Sequence, residues 1–113
     1  MNASSTGPQL PLPVSRFFAD ETTDPRVLAE YLSPDAVVQD EGHRHVGPAA
    51  IARWRAAAIE KYRSTNEPLS AETSGTLTTV TVRVTGSFPN SPIQLRFRFT
   101  VAEDRICRLE IAA

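Results

Sequence analysis

Residues 93–101 read IQLRFRFTV, so apolar and polar side chains alternate along the whole stretch. Successive side chains of a strand point to opposite faces of a sheet, and this period of two is typical of a strand with one buried face. Segments 76–88 and 107–111 show the same alternation, and residues 89–92 read PNSP, which predicts a turn. Because short turns join antiparallel neighbours, the C-terminal half is predicted to form an antiparallel sheet, with residues 67–74 as a weaker candidate strand.

The N-terminal half carries helical spacing instead. A short helix is predicted from Pro13, and a second from Asp24-Pro25, where Asp24 can cap the free N–H groups and Pro25 has no N–H to lose. Ser33-Pro34 is predicted to end the second helix. A short strand follows over 36–40, and the third and longest helix is predicted over 47–63. Helices gathered at one end of the chain indicate an α+β fold.

Composition limits the possible functions. With 113 residues the chain suits one domain, predicted at 13–113 behind a loose, polar arm at 1–12. The formal net charge of -1 excludes the strongly basic surface of a nucleic-acid-binding domain, and no apolar run is long enough to span a membrane. Cys107 is the only cysteine, so an internal disulfide is excluded. We expect a cytoplasmic protein without metal or cofactor.

Two neighbouring stretches carry a family resemblance. Residues 32–40, LSPDAVVQD, followed after a turn by 47–54, GPAAIARW, resemble the nuclear transport factor 2-like superfamily, in its SnoaL-like and ketosteroid isomerase-like branch. The resemblance implies a cone, in which a strongly curved sheet wraps around the long helix behind two shorter N-terminal helices. It also implies a central pocket for a small apolar ligand. The residues predicted to line that pocket are Phe17, Phe18, Val38, Trp54, Tyr62, Leu95, Phe97, Phe99 and Leu109.

Asp40 is the leading candidate for chemistry. Val38 and Asp40 share one face of the short strand, so an inward Val38 directs Asp40 toward the pocket. A carboxylate beside an apolar cavity resists ionisation, which brings its pKa closer to the working pH of a general base. In the ketosteroid isomerases that the sequence resembles, a carboxylate at this position is that base. The alternative is a structural role, in which Asp40 orients the following turn through backbone hydrogen bonds.

The sequence departs from those isomerases where they bind the enolate oxygen. The resemblance implies a tyrosine on the first helix and a protonated aspartate on a late strand. Phe17 and Phe18 stand on the first helix, and Leu95, Phe97 and Phe99 on the late strand. Three functions therefore stay open: an enzyme that moves a proton with Asp40 as base, a ligand-binding domain without chemistry, and a dimeric interaction module.

His43 and His45 lie two residues apart in a predicted polar turn at 41–45. With Asp40 and Glu41 they are candidates for an acid–base group or an adventitious metal site, and their alternative is a solvated hairpin tip. A homodimer through the outer face of the sheet is the predicted assembly. That face would carry Arg83, Arg96 and Arg98, which favours a modest, polar interface over a large apolar one.

Overall fold

The computed structural model describes residues 8–113. Over that range the chain forms three helices and six strands. In chain order they are α1 (Leu12–Ala19), α2 (Pro25–Leu28), β1 (Leu32–Asp40), β2 (His43–Val46), α3 (Gly47–Tyr62), β3 (Thr65–Ser74), β4 (Leu77–Thr85), β5 (Ile93–Ala102) and β6 (Arg105–Ala112). The predicted arm at 1–12 lies outside the described residues up to residue 7, and Leu12 is already the first residue of α1.

The strands form one curved, open sheet in the order β2-β1-β6-β5-β4-β3, and the sheet wraps around α3 as a cone. This confirms the α+β class. The sheet is mixed, however, because β1 pairs with β6 in parallel, with Val38 beside Leu109. The other strand pairs are antiparallel, as predicted. Short turns predict direction only for strands that follow one another, and β1 and β6 come from opposite ends of the sequence.

Several element boundaries differ from the prediction, and the largest differences lie around α2, β1 and β2. The second helix ends at Leu28, where a helix to Ser33-Pro34 was expected, and the chain enters β1 at Leu32. Tyr31 and Leu32 match the helical spacing of Val27 and Leu28, although they lie outside the helix. Both are buried, because the turn after α2 directs them into the same core. The predicted polar turn at 41–45 is shorter than expected, since His43–Val46 forms β2 against β1.

Packing follows the alternation of the strands. Inward residues such as Val80, Val82 and Phe99 are fully buried, whereas Arg96 and Arg98 on the outer face are exposed. Val14 and Leu28 bring α1 and α2 onto the same core. Along residues 8–113, no helix is long and apolar enough to cross a membrane.

Candidate functional site

A cavity of about 570 Å³ opens at the end of the sheet where β1, β4 and β6 finish and β3 and β5 begin. Its volume falls within the roughly 300–1,000 Å³ of small-molecule sites. The wall is predominantly apolar. Its aromatic side chains are Phe17, Phe18, Trp54, Tyr62, Phe88 and Phe97, and its larger aliphatic ones are Val84, Ile93, Leu95, Ile59 and Ile111.

Asp40 is the polar group set into this apolar wall. As the last residue of β1 it keeps the inward orientation of Val38, and it is half-buried beneath α3. The indole N–H of Trp54 donates a hydrogen bond to Asp40 Oδ2 at 3.0 Å. Burial raises the pKa of the Asp40 carboxyl, an effect that the Trp54 hydrogen bond opposes and the nearby Glu41 carboxylate reinforces. The outcome is a carboxylate with one oxygen held by the protein and with more affinity for a proton than an exposed aspartate.

The turn after β1 is linked to the end of α3 across the mouth of the cavity. Glu41 and Gly42 both take left-handed backbone conformations, with φ of 52° and 78°. This turn directs the Glu41 side chain to the cavity, where its carboxylate accepts a hydrogen bond from the Tyr62 hydroxyl at 3.3 Å. The Tyr62 hydroxyl is therefore already engaged with a carboxylate of the wall.

Arg55 forms another polar part of the wall, and its role there is structural. Its guanidinium donates to the carbonyl oxygens of Phe17 and Asp20, both at 2.7 Å, at the C-terminal end of α1. It also lies 4.3 Å from the centre of the Phe17 ring. Because the carbonyls at a helix end have no partner inside the helix, this contact satisfies them and fixes α1 against α3.

The structure separates the residues that the sequence assigned to the pocket. Six of them line the cavity: Phe17, Phe18, Trp54, Tyr62, Leu95 and Phe97. Val38, Phe99 and Leu109 are instead at most 1% exposed and belong to the closed core, away from the cavity wall. The alternation correctly predicted that these three side chains point inward, but they lie deeper along the inward face, where the core is closed.

The two histidines have different environments. His43 is exposed, and its Nδ1 lies 3.0 Å from the carbonyl oxygen of Glu41. His45 is partly buried, and its ring packs on Trp54 with centroids 6.1 Å apart. Neither lines the cavity. Within residues 8–113 no three His, Cys, Asp or Glu side chains come together as a metal-binding group.

Several wall residues were not anticipated. Ile93 and Ile111 were recognised as inward strand positions, and only the position of the cavity along the sheet adds them to its wall. Glu41 was grouped with the histidines, whereas it lies beside Tyr62 on the cavity. No local signal marks Arg55, because its partners are the main-chain carbonyls of α1, more than thirty residues earlier in the chain.

Comparison with known proteins identifies the family. The family model of the SnoaL-like domain matches residues 14–109. The chain belongs to the SnoaL-like family. Among solved structures, a proposed polyketide cyclase from Sinorhizobium meliloti is 43% identical, with a TM-score of 0.84 over 90% of this chain and 94% of that one.

More distant SnoaL-like and related structures share the fold. A proposed SnoaL-like polyketide cyclase from Jannaschia is 18% identical, with a TM-score of 0.72 over 88% of this chain and 81% of that one. A protein of ketosteroid isomerase-like fold from Catenulispora acidiphila, solved with trimethylamine, is 18% identical, with a TM-score of 0.77 over 93% of this chain and 87% of that one. Comparison with curated proteins gives no significant match.

Proposed function

We propose that this SnoaL-like domain binds a small, largely apolar molecule in the cavity and that Asp40 accepts a proton from it, in an isomerase- or cyclase-like reaction. The observation that carries the proposal is the half-buried Asp40 carboxylate, which faces an apolar cavity and is held on one side by Trp54. The similarity to a proposed polyketide cyclase at 43% identity supports the same class of reaction.

The position of Asp40 suits a general base in two respects. Burial raises its pKa, and a base whose pKa lies nearer the working pH accepts a proton more effectively. The Trp54 hydrogen bond holds Oδ2 in place, and the carboxylate lines the cavity in which a ligand would bind. The proposed step is the transfer of a proton from a carbon next to a carbonyl to Asp40, followed by its return to another atom of the same molecule.

The test is proton exchange, which can be followed without identifying the product. Fused-ring ketones of two to four rings, starting with 2-tetralone, are incubated with the protein in D₂O, and loss of the α-hydrogen signal is followed by ¹H NMR. We expect Asp40→Asn to lower the enzyme-dependent exchange rate by about 10²–10⁴-fold, as for loss of a general base. Exchange by Asp40→Asn at the wild-type rate would refute the role of Asp40.

Trp54→Phe is the companion variant for this experiment, because it keeps an aromatic ring in the wall and removes the N–H donor together with part of the ring volume. Since the Trp54 hydrogen bond lowers the pKa of Asp40, its removal should raise that pKa and move the pH–rate profile to higher pH. The loss of exchange should be smaller than for Asp40→Asn. An unchanged profile would show that the indole N–H does not tune the carboxylate.

The second candidate function is ligand binding without chemistry. It is favoured by the hydrogen-bond donors of the cavity wall. Phenylalanines and a leucine occupy the places where the resemblance implies the oxyanion donors of the isomerases, and the Tyr62 hydroxyl is already bound to Glu41. Fused-ring ketones that bind, as measured by calorimetry, and yet exchange no faster than in buffer would support this candidate over the first. A ligand that both binds and exchanges would exclude it.

We further propose a homodimer through the outer face of the sheet. Arg96 and Arg98 are exposed there, among threonines and a glutamine of β4 and β5, so the interface is expected to be polar and salt-sensitive. Light scattering at low and high salt tests this, and a monomer at every salt and protein concentration would contradict it. The cytoplasmic location stays a prediction from the sequence.

A further inference from the structure

His45, Trp54 and Asp40 form a continuous contact network from three elements of the fold. In the β1–β2 ladder Val38 pairs with His45, so the His45 side chain lies on the same inward face as Val38 and Asp40. The His45 ring packs on the Trp54 ring at an interplanar angle of 34°. The N–H of the same indole meets Asp40 Oδ2 at 3.0 Å.

His45 contacts this network from outside the cavity. Trp54 and Asp40 both line the cavity, and His45 does not. A molecule in the cavity therefore meets the indole and the carboxylate, whereas the imidazole contacts the indole from outside the cavity wall. This geometry suits a residue that acts through Trp54, and it does not suit one that touches the ligand.

We propose that His45 is a positioning residue for Asp40: its imidazole holds the Trp54 indole in the orientation that binds Asp40, and its protonation strengthens this hold. The consequence for proton transfer rests on the proposed function, whereas the contact network itself does not.

Two physical effects connect the charge of His45 with Asp40. An imidazolium beside the face of an indole gains a cation–π attraction that a neutral imidazole lacks. Its positive charge also favours the ionised form of Asp40 and so lowers the pKa of that carboxyl. Asp40 should therefore be a stronger base while His45 is neutral and a weaker one while His45 carries a positive charge.

The other charged groups around His45 are few. The carboxylates of Asp40 and Glu41 lie on the same side of the sheet end, and His43 lies on the same face of β2, where it pairs with Asp40. On β2 itself Arg44 points to the opposite face, because it is the residue between the two histidines. On α3, Arg53 is exposed and Arg55 is bound to the end of α1.

The network can be tested without a ligand, because Trp54 is the only tryptophan of the chain. Its fluorescence is recorded from pH 5 to 8 in the full-length protein. We expect an inflection at which the intensity falls as His45 is protonated, because an imidazolium beside the ring quenches indole emission. The inflection should be lost in His45→Phe and His45→Gln, and kept in the matched control His43→Gln and in Asp40→Asn.

A second measurement separates charge from packing. The pKa of Asp40, read from its ¹³C carboxyl shift, should rise in both His45→Phe and His45→Gln, because each removes the positive charge. His45→Phe should keep the wild-type emission maximum of Trp54, since it preserves the ring contact, whereas His45→Ala should shift it to the red. A flat wild-type titration, an inflection that survives in His45→Phe, or an unchanged Asp40 pKa would each overturn the proposal.

These outcomes are independent of the exchange assay. If the fluorescence inflection follows His45 and no ketone exchanges, the network stands and the proposed reaction fails. If ketones exchange through Asp40 and the fluorescence does not follow His45, the reaction stands and the positioning role fails. Circular dichroism confirms that each variant is folded, and if His45→Ala does not fold, the Phe and Gln variants still decide the charge effect.

Discussion

The two ends of the inward face of β5 differ, although they carry similar residues. Phe99 and Leu95 lie four residues apart on the same side of the same strand. Phe99 is fully buried, and the Phe17 ring of α1 lies 5.4 Å from it, whereas Leu95 faces an open cavity. Periodicity alone treats these two positions as equivalent.

The same change occurs on β6, which pairs with β5, and on β1, the next strand across the sheet. On β1 the inward face passes from buried Val38 to Asp40 at the cavity, and on β6 it passes from buried Leu109 to Ile111. A step of two residues along a strand therefore separates the buried core from the candidate site. Burial of a carboxylate without a hydrogen-bond partner would be costly. Position 40 accommodates an aspartate because one side of the carboxylate faces the open cavity and the other accepts the Trp54 N–H.

The largest expected effect tests this difference directly with two truncations on β5. Phe99→Ala should lower the free energy of unfolding by about 3–5 kcal/mol, because it empties a closely packed site that has no access to water. Leu95→Ala should cost less than about 1.5 kcal/mol, since its side chain already borders open space. Urea denaturation measures both, and equal losses would show that the two ends are packed alike.

An intermediate effect is expected at Arg55, which lines the cavity and also holds the end of α1 that covers the core. Arg55→Ala should lower the free energy of unfolding by about 2–3 kcal/mol, because the carbonyls of Phe17 and Asp20 lose a charged donor. Arg53→Ala is the matched control on the same helix, at an exposed position, and should change stability by at most about 0.5 kcal/mol. Similar effects of the two variants would mean that the hydrogen bonds from Arg55 to the end of α1 contribute nothing to stability.

The smallest effect concerns Asp40 and its dependence on pH. Folding raises the pKa of Asp40, so the folded chain binds the proton more tightly than the unfolded chain, in which the ordinary value is 3.8. The resulting stabilisation is complete below that value and is lost as pH rises through the raised folded pKa. At pH 7 Asp40→Asn should thus be more stable than wild type by about 0.5 kcal/mol, a small gain because half of the side chain is in water.

The measurement is chemical denaturation of wild type and Asp40→Asn from pH 3.5 to 7. Wild type should lose stability relative to the variant as pH rises, and the difference should level off once Asp40 is ionised in the folded state. A wild-type protein that gains stability relative to the variant over this range would show that folding lowers the pKa of Asp40.

The order of the helices and strands, apart from the early end of α2 and the added β2, could be read from the sequence. So could the face of most strand residues, because both depend on local spacing. The exception is the start of β6, where Ile106 is buried and Cys107, expected inward, is only partly buried beside a β-bulge. The alternation correctly directed Val38 and Asp40 inward, and likewise Leu95, Phe97 and Phe99. It could not show that Val38 and Phe99 lie in the core while Asp40 and Leu95 lie at the cavity. That distinction depends on how far α1 covers the sheet, which is set by packing between distant parts of the chain.

The sequence by itself determined the period of the long strands, a proline in the first turn of each helix, and hence the α+β class and the inward orientation of Asp40. Tertiary structure decided the parallel pairing of β1 with β6, the hydrogen bonds from Arg55 to the carbonyls of α1, and the contact between His45 and Trp54. The physical reason is the distance along the chain over which each interaction acts. Backbone sterics and side-chain alternation act between neighbours in the chain, whereas these three contacts join residues that approach one another only when the sheet curves around α3.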